Sequence, residues 1–140
     1  MILLPQDTNL GKLEILEVYE YYDVHCLFAC QNKSEQIFLA SWANQTREFG
    51  TWLYVPMSAG RFAGLRSGQI DLRDAYVTSE DGFVYEVTIP CDDSGDRAVT
   101  ISCNNLNENW LPMPGEFLDL GEAEVSVSDR VYDKAAIASQ

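Results

Sequence analysis

A single histidine, His25, stands next to Cys26, and a thiol beside an imidazole is the pairing that nucleophilic catalysis uses. The surrounding run argues against it. Val24 to Cys30 alternates, with Val24, Cys26, Phe28 and Cys30 on one face. Adjacent strand residues point to opposite sides of a sheet, so His25 and Cys26 cannot act on each other. A dyad would need a thiol or hydroxyl from across the sheet, and His25 is read as a structural or surface residue. The four cysteines (Cys26, Cys30, Cys91 and Cys103) do not form a zinc pattern. The first two are spaced C-x3-C, the third follows a long gap, and no second histidine exists to complete a mixed site. Each lies in or beside an apolar run, so the expectation is reduced, metal-free, buried thiols that pack as small hydrophobes.

Asp92-Asp93-Ser94-Gly95-Asp96 has the look of a cation loop. A calcium-binding EF-hand needs a glutamate six residues beyond the glycine, with helices on both sides. That position is Ile101 here, and the flanks read as strands, so the run is expected to be a solvated hairpin turn. Gly60, Gly64 and Gly68 recur every four residues, but this close-packing motif has its meaning in membranes and the segment is too polar for that. No phosphate-binding loop, dinucleotide fingerprint, nucleophile elbow or zincin motif occurs. No catalytic residue and no cofactor is expected, and an enzyme would need a site scattered through the sequence.

Charge is the strongest compositional signal. Twenty-two acids oppose nine bases, for a net charge of −13. The excess is uneven: residues 1–32 carry −4, residues 33–73 carry +2, and residues 74–140 carry −11. Such a field repels nucleic-acid phosphates and steers toward basic partners. Arg61, Arg66 and Arg73 are concentrated in the one positive stretch. Guanidinium forks could meet an acidic ligand there, or neutralise the protein's own acids such as Asp71 and Asp74.

The elements that must position these residues can be read from pattern. Leu13 to Tyr22 fits both a helical stripe and a strand, and its β-branched and aromatic content favours the strand. Val24–Cys30 and Gln36–Trp42 read as a hairpin around the turn Gln31-Asn32-Lys33-Ser34. Thr51–Val55 is a fourth strand, closed by Pro56, which cannot donate to a ladder. Ser58 is a suitable N-cap for a helix whose stripe comprises Ala59, Phe62, Ala63 and Leu65, with Gly68 beyond its end. Gly60 and Gly64 weaken this helix by about 1 kcal/mol each relative to alanine, so packing must hold it. Asp71 can cap one further turn, with Leu72 and Tyr76 facing inward. Phe83, Tyr85, Val87 and Ile89 share a face while Glu86 and Thr88 point away, which reads as a half-buried strand, and Arg97–Cys103 returns beside it. From Asn104 to Gly121 the chain is irregular, with Trp110, Leu111, Phe117 and Leu120 as anchors over the core. Asp129–Ser139 reads as a weak helix or as nothing ordered.

The stretch Trp52-Leu53-Tyr54-Val55-Pro56, followed by Leu65-Arg66 and by Asp71-Leu72-Arg73-Asp74-Ala75, resembles a domain-of-unknown-function family of small uncharacterised bacterial proteins. The likeness covers about residues 13–90. It implies a small bacterial α+β domain and carries over no catalytic residue.

Consecutive strands with few helices predict an α+β fold: an antiparallel sheet of about five to seven strands, one principal helix at about residues 58–67 and an irregular C-terminal segment. Residues 1–121 are expected to form one domain, and 122–140 an acidic extension, weakly ordered or a short helix. No apolar run approaches the roughly 18 residues that cross a bilayer. The N-terminus lacks the basic region of a signal peptide, so the cytoplasm is the expected location. The functional expectation is a noncatalytic acidic binding module of accessory, inhibitor or immunity type. It would dock a basic protein, a nucleic-acid-processing or defence protein being one candidate, with no direct contact to nucleic acid or membrane. Its candidate contact residues are Arg61, Arg66, Arg73, Asp92, Asp93, Asp96 and Trp110. The alternatives are a small-molecule or nucleotide binder using the three arginines, and an enzyme.

Overall fold

A computed structural model of the chain describes residues 4–21 and 25–118. Six strands follow one another as an antiparallel meander: β1 (Leu13–Tyr21), β2 (His25–Asn32), β3 (Ile37–Gln45), β4 (Phe49–Met57), β5 (Phe83–Pro90) and β6 (Arg97–Ser102). Their order in the sheet is their order in the chain, as expected when strands come without crossover helices. The β4–β5 connection holds α1 (Ala59–Arg66) and α2 (Leu72–Val77), and the α+β reading stands.

The strand alternation sorts side chains between two cores. Leu39, Leu53 and Val55 point to the helical face, where they meet Leu65 of α1 and Leu72, Ala75 and Tyr76 of α2. Phe28, Phe38, Ala40, Tyr54 and Val87 point the other way and pack with Leu10 and Leu13. Phe28 meets Trp52 and Tyr54 edge-on at 5.4 and 6.1 Å, and Phe38 meets Tyr85 edge-on at 6.1 Å. This is the geometry that ring quadrupoles favour.

The second face is covered by the N-terminal segment. Leu10 is buried there, its carbonyl accepts from Asn32 Nδ2 at 2.8 Å, and Gln6 N donates to Asp96 Oδ2 at 2.8 Å. The strap therefore runs from the β5–β6 turn to the end of β2. Because both faces are covered, the reading of β5 as a half-buried strand is corrected. Leu27–Cys30, Ile37–Ser41 and Leu53–Met57 are buried without interruption, and β5 buries Val84 on the helical face as well as Val87 on the other.

Pro56 does not close β4, which continues to Met57. Cys91 N donates to Glu48 O at 2.8 Å in the β4–β5 register, so alternation turns the even-numbered positions of β4 toward β5. The last β4–β5 pair is Tyr54 with Tyr85. Pro56 thus points its missing donor past the end of the neighbouring ladder, where no bond is lost.

Local chemistry sets both helices. Ser58 Oγ accepts from Arg61 N at 3.1 Å, and Asp71 Oδ1 accepts from Asp74 N at 2.7 Å. Gly68, at φ +82°, takes the left-handed conformation just past α1. Gly64 has a packing reason, since a Cβ there would lie 3.1 Å from Ile70 Cδ1. Leu65 is buried as expected, but Ala59 and Ala63 are exposed.

Other expectations shift by small steps. Asn32 belongs to β2 rather than to the turn, and its Oδ1 accepts from Ser34 N and Gln36 N, both at 3.0 Å. Cys30 is buried, but Cys91 is exposed where the chain leaves β5, and Cys103 is intermediate, so burial does not hold for all the thiols. Of the C-terminal anchors, Trp110 and Leu111 pack on the core, whereas Phe117 is half exposed and Leu118 is the buried residue. Leu120, the segment 122–140 and the side chains of His25 and Cys26 lie outside the described residues. Among the described residues, no helix is long and apolar enough to cross a membrane.

Candidate functional site

The N-terminus of α2 holds the C-terminal segment down. Asp71 uses its second oxygen, Oδ2, to accept from Gly115 N at 3.1 Å, and Leu72 N donates to Glu116 O at 2.7 Å. Arg73 Nη1 donates to Pro112 O at 3.1 Å, and its other terminal nitrogen pairs with Glu108. Beneath this strap lies a cleft of about 300 Å³, with Leu27, Ser41, Leu72, Trp110 and Pro112 in its wall and Glu116 at one side. The Glu116 carboxylate accepts from Met113 N at 3.1 Å through Oε1. A lining that includes Trp110 and Glu116 suits a side chain with an apolar stem and a basic head.

Ser41 is a buried polar residue in the cleft lining. Its hydroxyl lies against the Tyr76 phenol but makes no hydrogen bond of good geometry, while Tyr76 itself donates to Leu39 O at 3.1 Å. Burial pushes the Tyr76 pKa up, so the phenol stays protonated and acts as a structural donor.

The three arginines of the positive stretch go to three separate places. Arg61 Nη2 donates to the carbonyls of Asp74 and Thr78 at 3.1 and 3.0 Å and ties α1 to α2. Arg66 grips Glu17 on β1, and Arg73 holds the strap. They do not converge on a common anion site, and their main partners are other than the expected Asp71 and Asp74 carboxylates.

Asp92, Asp93 and Asp96 sit in the β5–β6 turn. Asp92 accepts from Ser94 N at 2.9 Å, and this bonding to Ser94 holds its carboxyl below the usual aspartate range. Asp96 anchors the N-terminal strap, and Cys91 N reaches Glu48 O in the β3–β4 turn. One end of the sheet therefore gathers Asp7, Glu48, Asp92, Asp93 and Asp96 from three segments, with Arg47 and Arg97 nearby in sequence. Among the described residues, no group of three or more His, Cys, Asp or Glu side chains is placed to hold a metal. Sequence reasoning missed Ser41, Glu116, Asp7 and Glu48. Nothing local marks them, because each acquires its neighbours through long-range pairing.

Fold and site together define a small acidic α+β meander domain, with a cleft under a C-terminal strap and an anionic pole at one end of its sheet. The chain belongs to a family of unknown function, DUF6575, whose model matches residues 1–136. Neither a curated protein nor a solved structure matches it.

Proposed function

We propose that the protein is a noncatalytic binding module whose acidic surface docks a basic protein. The observation that carries this reading is the fate of the cations. Arg61, Arg66 and Arg73 are only partly exposed and are engaged by the chain itself, which leaves Lys12, Lys33, Arg47 and Arg97 as the exposed bases among the described residues. Against them stand exposed acids in several turns, among them Asp7, Glu35, Glu48, Glu80, Asp81, Asp92 and Asp93. The outward field is thus strongly anionic, and a basic partner is drawn in over long range. The cleft beside Trp110 and Glu116 gives that partner a place to anchor a basic side chain. In this reading the protein is a cytoplasmic accessory or inhibitor of a bacterial cell.

Capture from the native host at low salt, with the captured proteins identified by mass spectrometry, tests the proposal. The captured protein should be basic, and its association rate should fall steeply with salt as the screening length shrinks from about 10 Å at 0.1 M to about 3 Å at 1 M. Replacing Asp92, Asp93 and Asp96 together with asparagine removes charge and leaves an oxygen at each position to accept the turn hydrogen bonds. The variant should fold normally and associate more slowly. An affinity indifferent to both salt and these substitutions overturns the reading.

A further inference from the structure

We infer that β6 is a pairing edge through which two copies of this chain join their sheets in antiparallel register. This inference is independent of the docking reading, and it begins from the backbone. Cys103 N donates to Gly82 O at 3.1 Å, in line with the β5–β6 register that pairs Phe83 with Ser102. Alternation then turns Arg97, Val99 and Ile101 toward β5, and leaves the N–H and C=O groups of Ala98, Thr100 and Ser102 facing outward. Among the described residues no other strand pairs with them.

Sheet edges are normally blunted by charge, proline or bulges. The other edge strand, β1, follows that rule, with its register against β2 shifted at three points and glutamates at 14, 17 and 20. β6 does not. Its register with β5 is unbroken, and from Ala98 to Asn107 there is neither a charged residue nor a proline. Val99 stands 53% exposed on it.

Two features of this edge select a second copy as the occupant. A two-fold axis through Thr100 sets Thr100 against itself, Ala98 against Ser102, and the apolar Val99 against Ile101. The paired edges then exchange about six N–H···O bonds, two for each outward-facing pair. Arg97 falls opposite Cys103, so no like charges meet, and the acidic turn before β6 lies toward the uncharged residues Asn104 and Asn105 of the other copy. A basic partner gains little at a neutral edge. Two chains of charge −13 repel elsewhere and meet with least repulsion here.

Sedimentation equilibrium of the full chain, over a range of concentrations and salt, tests the assignment. The average mass should rise toward twice the monomer mass with concentration. The dimer should strengthen with salt, opposite in sign to docking of a basic partner, because only like-charge repulsion is being screened. Thr100→Pro removes an outward donor without touching the β5–β6 ladder, and should give a monomer that melts as the parent does at concentrations where the parent is itself monomeric. Val99→Lys sets lysines across the axis and should also give a monomer, which keeps the test decisive where the proline variant fails to fold. Amide exchange at Ala98 and Thr100 should slow as the parent protein is concentrated. A monomer at every concentration and salt, or a dimer that Val99→Lys leaves intact, overturns the proposal.

Discussion

Arg66 on α1 grips Glu17 on β1 through a two-pronged contact, Nε to Oε1 at 2.9 Å and Nη2 to Oε2 at 2.8 Å. Tyr19 donates its hydroxyl to the same carboxylate, so one edge strand and the first helix are locked at a single anion. Burial, and then the bond to Glu17, raises the Tyr19 pKa and keeps the phenol as a donor. The pair is neither fully exposed nor fully buried, with side-chain exposures of 34% and 22%. Its worth should lie between the ~0–1 kcal/mol of a surface pair and the several kcal/mol lost when a buried pair is broken. Arg66→Ala is expected to cost about 1–2 kcal/mol in urea unfolding. Arg66→Lys, which keeps the charge but loses the fork, should cost about half as much. Equal losses for the two variants would show that the fork geometry contributes nothing.

Two buried tyrosines should respond to loss of their hydroxyls with opposite sign. Tyr76 donates to Leu39 O, whereas the Tyr54 hydroxyl is buried with no partner among the described residues. Burial raises the pKa of both, so neither ionises near neutral pH. Tyr76→Phe should destabilise by about 1 kcal/mol, while Tyr54→Phe should be neutral or slightly stabilising, because removing an unpaired buried polar atom removes its desolvation cost. Denaturant midpoints of the two variants check this. A larger loss for Tyr54→Phe than for Tyr76→Phe would mean that its hydroxyl has a partner.

The cysteines should differ sharply in reactivity. Burial pushes the Cys30 thiol up to about 12, so at pH 8 only about one part in 10⁴ is thiolate. Cys91 is exposed at the end of β5. Alkylation of the folded protein followed by peptide mapping should label Cys91 and spare Cys30, which labels only in denaturant. Early modification of Cys30 would show that the sheet opens far more readily than its packing implies.

Glu80 supplies the acid-sensitive cap of α1. Its carboxylate accepts from Ser58 N and Ser58 Oγ, both at 2.8 Å, and the backbone bond is the main reason its pKa lies below the ordinary 4.5. A carboxyl whose pKa is lower in the folded state stabilises at pH values above its unfolded pKa, and that contribution fades as pH falls through the folded value. The wild type should therefore be more stable than Glu80→Gln at pH 6–7, with the gap closing below about pH 4. Because Glu80 is largely exposed, the difference should be modest and should shrink in salt. Thermal melts of both proteins across this range measure it, and a gap that persists at pH 3 would rule out the carboxylate as its source.

What the sequence determined by itself was local. Alternation fixed the strands, because a period of two leaves each side chain no choice of face once its neighbour is placed. Ser58, Gly68 and Asp71 marked the helix ends, because capping is settled within three or four residues. The same signals explain why Leu65, Leu72 and Tyr76 were correctly placed inward. The tertiary structure decided everything that depends on a neighbour distant in sequence. β3 and β4 are buried on both faces because the N-terminal strap covers the side the helices leave open, which no pattern within those strands reports. Pro56 is tolerated because the β4–β5 ladder ends at Tyr54 and Tyr85, before reaching it. Arg66 finds Glu17 across 49 residues and Arg73 finds Pro112 across 39, which turns a run of positive charge into internal struts. Trp110 was legible as an anchor, but the cleft it shares with Ser41 and Leu27 was not. A cavity belongs to the space between elements, and the composition of one segment cannot specify the wall that a distant segment will supply.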